Sequence, residues 1–120
     1  MTEVKLTTAT KINDYAFYNC TSLTSITIGD SVTSIEDYAF RDCSSLSSIV
    51  LPASVTSLGA FSSWSCSSLT SIVIPDSVTQ IYGGAFSDNE NLKKISVSPN
   101  NPNYCTVDGN LYTKDKKYLV

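Results

Sequence analysis

The residues able to do chemistry are few: four cysteines (Cys20, Cys43, Cys66, Cys105), eleven carboxylates and no histidine. Without histidine the commonest general base is missing, and so are the serine and cysteine dyads built on it. Carboxylate pairs such as Glu36-Asp37 are chain neighbours and read as a solvated face rather than an acid/base pair. Gly83-Gly84 lacks the spacing of a phosphate-binding loop, and Asp108-Gly109-Asn110 lacks that of a calcium loop and reads as a turn. No catalytic residue, metal site or cofactor is assigned on these grounds. The cysteines have no C-x-x-C pair, which argues against zinc. The pattern Asn19-Cys20-Thr21 matches a glycosylation acceptor, but its cysteine belongs to a recurring column and the match is read as coincidence.

That column exposes the organisation of the chain. Cys20, Cys43 and Cys66 are evenly spaced, and one further step of the same length reaches Asn89. The same step links Ile12, Ile35, Leu58 and Ile81, and again Leu23, Leu46, Leu69 and Leu92. A fixed period of this length marks a stacked array, in which each unit buries its apolar face only against its neighbours. Each unit has two halves. In IEDYAFRDC, Ile35, Ala39 and Phe40 have helix-like spacing, and one short helical turn is expected. In LTSITI, Leu23, Ile26 and Ile28 alternate with Ser25 and Thr27, which reads as a short strand. Pro or Gly then ends each strand, and Val32, Val55 and Val78 re-enter the core. Successive strands are expected side by side and parallel, about 4.8 Å apart.

The motifs L-x-x-I-x-I, P-x-S-V-x-x-I and A-F-x-x-C, carried by LTSIVIPDSVTQIYGGAF and its siblings, resemble the BspA-like class of leucine-rich repeats over residues 4–97. The resemblance implies a leucine-rich repeat solenoid with parallel strands on one face and short helical turns on the other. It covers residues 1–98 as a partial first repeat plus about four units. Val4 and Leu6 read as the end of an incomplete repeat, so the chain is expected to be a fragment with an uncapped N-terminal end able to self-associate. From Ser98 the pattern is expected to stop. Residues 99–120 then form a C-terminal β-hairpin cap around Asp108-Gly109, with a second turn at Lys114 to Lys117 leading into Tyr118, Leu119 and Val120.

Within such an array the cysteine column, with Asn89, is expected to be a structural ladder of free thiols. Cysteines on adjacent parallel rungs have the right Cα separation for a disulfide, but their Cβ vectors do not converge. In leucine-rich repeats this column satisfies backbone groups of the turn.

Binding is read down columns. The outward strand face carries Ser25 and Thr27, Ser48 and Val50, Ser71 and Val73, Lys94 and Ser96. It is flat and nearly uncharged, suited to meeting a protein, and equally explained by β-propensity and solubility. A second column, Tyr18, Arg41 and Trp64, would set the guanidinium between two rings for cation-π contact. Because Ser63 stands where Phe40 and Phe86 supply core aromatics, Trp64 or Phe61 is alternatively expected to turn inward. Tyr15, Tyr38 and Phe61 form a third, aromatic column.

Charge narrows the partners. Net charge is −3, with nine acids against three bases before Lys93 and two against five from there on, and no basic stripe that would suit nucleic acid. No run approaches the roughly 18 apolar residues of a membrane span, and MTEVKLTTATK lacks a signal-peptide core. What the resemblance implies is a non-catalytic cell-surface or secreted adhesion module that binds a protein such as a host surface or matrix component. The alternatives are a carbohydrate-binding or targeting module of a larger secreted assembly, or a structural spacer.

Overall fold

The computed structural model describes residues 2–108 and 110–115. Five longer strands, each followed by a turn, line one face: β1 (Glu3–Leu6), β3 (Ser25–Ile28), β5 (Ser48–Val50), β7 (Ser71–Ile74) and β9 (Lys94–Val97). Between them lie two-residue strands β2 (Lys11–Ile12), β4 (Ser34–Ile35), β6 (Ser57–Leu58) and β8 (Gln80–Ile81). Both sets pair in parallel, strand against the matching strand of the next repeat, so the chain winds as a solenoid of about four turns. The short-strand sheet is continuous, in the order β2-β4-β6-β8. The long-strand face is divided into β1-β3 and β5-β7-β9. Gly29 donates its N–H to Leu6 O at 2.9 Å, whereas Pro52 and Pro75, at the same place in the next two repeats, have none to donate, and β5 and β7 pair all the same.

Alternation sets the core. Ile26, Ile28, Ile72 and Ile74 point inward while their neighbours point out, and Leu23, Leu46 and Leu69 fill the interior with Val32, Val55 and Val78. The same columns are only half-buried at the ends, at Phe17, Phe86 and Leu92, because a terminal rung has a neighbour on one side only. The abundant Ser and Thr have a structural use. Ser45 and Ser68 donate to the carbonyls of Thr21 and Ser44 at 2.6 Å, and Thr33 and Thr56 to those of Thr10 and Thr33 at 3.2 and 3.1 Å. Each such bond links one rung to its predecessor.

The second half of each unit corrects the sequence reading. Among the described residues there is no helix, and the expected short helical turns are arcs of tight turns. Each arc holds two residues in left-handed backbone conformation: Tyr15, Tyr38, Phe61 and Gly84 in one column, Asn19, Asp42, Ser65 and Asp88 in the other. A left-handed residue costs roughly 1–2 kcal/mol and ends any helical run. The backbone compensates by using alternate amides in two directions. Ala16, Tyr18 and Cys20 close turns onto Asn13 O, Tyr15 O and Phe17 O, while Tyr15, Phe17 and Asn19 donate to Asp37 O, Ala39 O and Arg41 O of the next arc.

Past Ser98 the chain keeps to the columns for part of another turn. Asn101 takes the place of Val78, fully buried, and Tyr104 that of Ile81. The Asn101 amide donates to Pro75 O (2.8 Å) and Val78 O (2.9 Å), and its Oδ1 accepts from the N–H groups of Asn103 and Tyr104. The Tyr104 hydroxyl accepts the Ile81 N–H at 2.8 Å, closing the free edge of β8. Then β10 (Tyr104–Val107) and β11 (Asn110–Thr113) form the antiparallel C-terminal hairpin, and β10 packs against β9. The run Tyr118, Leu119 and Val120 lies outside the described residues, as does the end of the expected second turn.

Removing one buried amide that serves four backbone groups leaves them without partners, at roughly 1–3 kcal/mol for a group that stays dry. Asn101→Ala is therefore expected to lower unfolding free energy by about 3 kcal/mol in a urea titration. Faster amide exchange should be confined to the hairpin and the last rung. A loss under about 1 kcal/mol would contradict the role assigned to Asn101.

Candidate functional site

Two surfaces and one buried column were singled out by the sequence. The column forms as a hydrogen-bonded ladder. Cys43 Sγ donates to Phe17 O and Cys66 Sγ to Phe40 O, both at 3.0 Å, each reaching the rung before. Asn89 continues it, donating to Ser63 O at 2.8 Å and to Phe86 O at 2.9 Å. A thiol and a carboxamide fill one role because the position asks for a donor of short reach. All four cysteines are free, and Cys105 reaches Thr113 O at 3.4 Å within the hairpin. Burial, reinforced by the neighbouring Cys66, pushes the Cys43 thiol up to about 12. Burial, with Asp42 adding, pushes Cys66 up to about 11. Such thiols stay protonated and are poor nucleophiles.

On the turn face, Arg41 lies between Tyr18 and Trp64, with its guanidinium carbon 5.5 Å from the first ring centre and 4.1 Å from the second. It also lies 5.6 Å from Tyr38. Its Nε is 3.4 Å from the Asp42 carboxylate but makes no hydrogen bond, so attraction there is ionic. Trp64 and Phe61 stay half-buried and touch each other, and neither replaces a core aromatic beside the buried Ser63.

The third column stacks face to face. Tyr15 and Tyr38 have ring centres 4.9 Å apart, and Tyr38 and Phe61 5.4 Å. The stack ends at Gly84, where an added Cβ would come within 2.4 Å of the Phe61 ring. Ring faces occupied by other rings are closed to a sugar, which stacks on an open face. The edge-on stripe therefore gives the carbohydrate alternative no platform beyond the outer face of Tyr15, which is 50% exposed.

The strand face is the surface the fold presents most openly. Val50 and Val73 are 74% and 61% exposed, with Ser25, Thr27, Ser48 and Ser71 exposed around them. Lys94 is exposed at one end and Ser96 half-buried, and a Glu3–Lys5 ion pair of 3.6 Å lies at the other. Shallow depressions flank Val50, one bounded by Val73 and Pro75 and one by Thr27, Asp30 and Pro52. The second lies over the division between β3 and β5, which the alternating pattern gave no means of finding. Among the described residues no three His, Cys, Asp or Glu side chains cluster in a way that would hold a metal ion.

The BspA type leucine rich repeat region matches residues 2–108 in six copies. The chain belongs to this family. The solved structure of a leucine-rich repeat protein from T. pallidum is 37% identical with a TM-score of 0.76, over 78% of this chain and 44% of that one. One from Eubacterium ventriosum is 32% identical with the same TM-score, over 98% of this chain and 38% of that one. A leucine rich cell surface protein from Faecalibacterium prausnitzii is 27% identical with a TM-score of 0.51, over 95% and 43%. The repeat chain thus spans less than half the length of these solved relatives. No curated protein matches it. Folds of this family are generally non-enzymatic and commonly mediate protein interactions.

The thiol ladder makes stability depend on alkaline pH. Unfolded cysteines ionise at about 8.5, so above that pH the unfolded chain releases protons that Cys43 and Cys66 retain when folded. Stability present in full below about pH 8.5 is then lost as pH rises toward 11. Cys66→Asn, which copies the fourth rung, should fold and show a shallower fall in unfolding free energy between pH 8 and 10. An unchanged slope would dissociate Cys66 from that dependence.

Proposed function

We propose that the chain is a non-catalytic protein-binding and adhesion module of a cell-surface or secreted protein, and that its strand face meets the partner. The observation carrying this reading is the exposure of Val50 and Val73 side by side in a field of small hydroxyl residues with no charge among them. Covering such a face desolvates apolar area without removing water from ions, a favourable exchange of roughly 25 cal/mol per Å². Lys93 and Lys94 at the cap end add an electrostatic contribution toward an acidic partner surface. Flat faces of this kind bind through area and shape, since they lack the Trp, Tyr and Arg anchors that dominate compact interfaces. The cell-surface assignment is supported by the relative from F. prausnitzii, a leucine rich cell surface protein. The Arg41 column is the weaker candidate, because its guanidinium is already engaged by Tyr18, Trp64 and Asp42.

Adhesion to immobilised host matrix proteins and to cultured epithelial cells tests the reading directly. A variant carrying Ser48→Glu, Val50→Lys, Ser71→Lys and Val73→Glu, which sets opposite charges beside each other across the paired strands, should fold normally, since all four side chains are exposed, and lose at least tenfold in bound amount. Arg41→Ala should leave binding within twofold. The reverse ranking would move the contact to the turn face.

A further inference from the structure

Arg41 is the only base in the four arcs, residues 13–20, 36–43, 59–66 and 82–89. Its guanidinium is held by rings, with the carbon 4.1 Å from the Trp64 centre, 5.5 Å from Tyr18 and 5.6 Å from Tyr38. The planar group is thereby fixed without spending any of its donors. Its Nε is buried 3.4 Å from the Asp42 carboxylate and makes no hydrogen bond, and among the described residues no acceptor meets either Nη. The two Nη groups are open to water, on a side chain that is 30% exposed. The indole N–H of Trp64 and the hydroxyl of the exposed Tyr18 likewise meet no acceptor among the described residues. Unmet donors thus sit together on side chains packed against one another, and Asp42 is the one carboxylate in contact with them.

We propose that the outer edge of Arg41 is a carboxylate-binding site, and that it takes an acidic side chain of a peptide segment from another protein. The two Nη groups bind the carboxylate end-on and bidentate, because the Nε edge is buried and faces Asp42. Rigidity favours the contact. A free surface arginine loses rotamer freedom when it pairs with a carboxylate, and here ring packing has already removed much of that freedom. The anion is monovalent. One guanidinium with Asp42 beside it lacks the positive charge that a phosphate, close to doubly ionised, requires. An acidic sugar is disfavoured because the ring faces beside the fork are covered by the guanidinium itself, which leaves a pyranose no stacking platform there. A Glu or Asp side chain needs none. Trp64 and Tyr18 flank the fork with apolar rims and free donors, and Trp, Tyr and Arg are the residue types that dominate compact contacts. The site is a point contact on the arcs, separate from the broad strand face to which adhesion is assigned.

The test uses the full chain and two capped peptides that differ in one group, acetyl-Ala-Glu-Ala-amide and acetyl-Ala-Gln-Ala-amide. Titration followed by nitrogen–proton correlation spectra should shift the Arg41 side-chain and Trp64 indole signals saturably with the glutamate peptide and leave them in place with the glutamine peptide. This comparison needs no variant. Arg41→Lys, which keeps the charge and loses the fork, should weaken binding about fivefold or more, and Lys94→Gln should leave it unchanged. Equal shifts from the two peptides, shifts centred on Lys93 and Lys94, or undiminished affinity in a folded Arg41→Lys chain would each overturn the proposal. Glucuronate binding more tightly than the glutamate peptide would overturn the peptide assignment in favour of an acidic sugar.

Discussion

Everything in this molecule depends on hydrogen bonds handed from one rung to the next. A single repeat unit has too little apolar surface to fold alone, and its left-handed arc residues are individually unfavourable. Alternate amides of the first three arcs are satisfied by the carbonyls of the following arc, and the Cys43 and Cys66 thiols by carbonyls of the preceding rung. Local geometry and neighbour contact are therefore one constraint. Tyr15, Tyr38 and Phe61 accept positive φ because the ring stack and the forward bonds exist together.

A structure held by neighbour contacts has a problem wherever the neighbours end. At the C-terminal end the problem is answered with chemistry absent from the repeat itself. A buried asparagine replaces a valine and offers its amide to four backbone groups. A tyrosine replaces an isoleucine and turns its hydroxyl to the last free amide of the short-strand sheet. The hairpin then covers β9. These substitutions cover the edges of the two sheets, while among the described residues no acceptor meets the N–H groups of Gly84, Phe86 and Asp88 on the arc side.

Function is written more faintly than fold because the fold consumes most of the distinctive side chains. Aromatic faces stack on one another, the single arginine is bracketed by rings, and Cys43 and Cys66 point into the backbone of the preceding rung. The strand face is left with outward Val, Ser and Thr, and Tyr15, Tyr18 and Tyr82 are exposed elsewhere on the surface.

The sequence alone determined the period, the core columns and the outward pairs, because burial alternates with every residue of a strand and repeats with every turn of the coil. Ile35, Leu46 and Val55 are assigned inward, and Ser48 and Val50 outward, from pattern alone. The arcs were misread as helical because Ile35, Ala39 and Phe40 share the spacing of a helix face. The signal against a helix was the company of Asn19, Asp42 and Asp88 in one column and Gly84 in another, residues that tolerate left-handed backbone. Tertiary structure alone decided the break between β3 and β5 and the service of Asn101 to the cap. Each of these depends on which backbone group lies opposite which across a full turn of the coil, and side-chain identity does not record that.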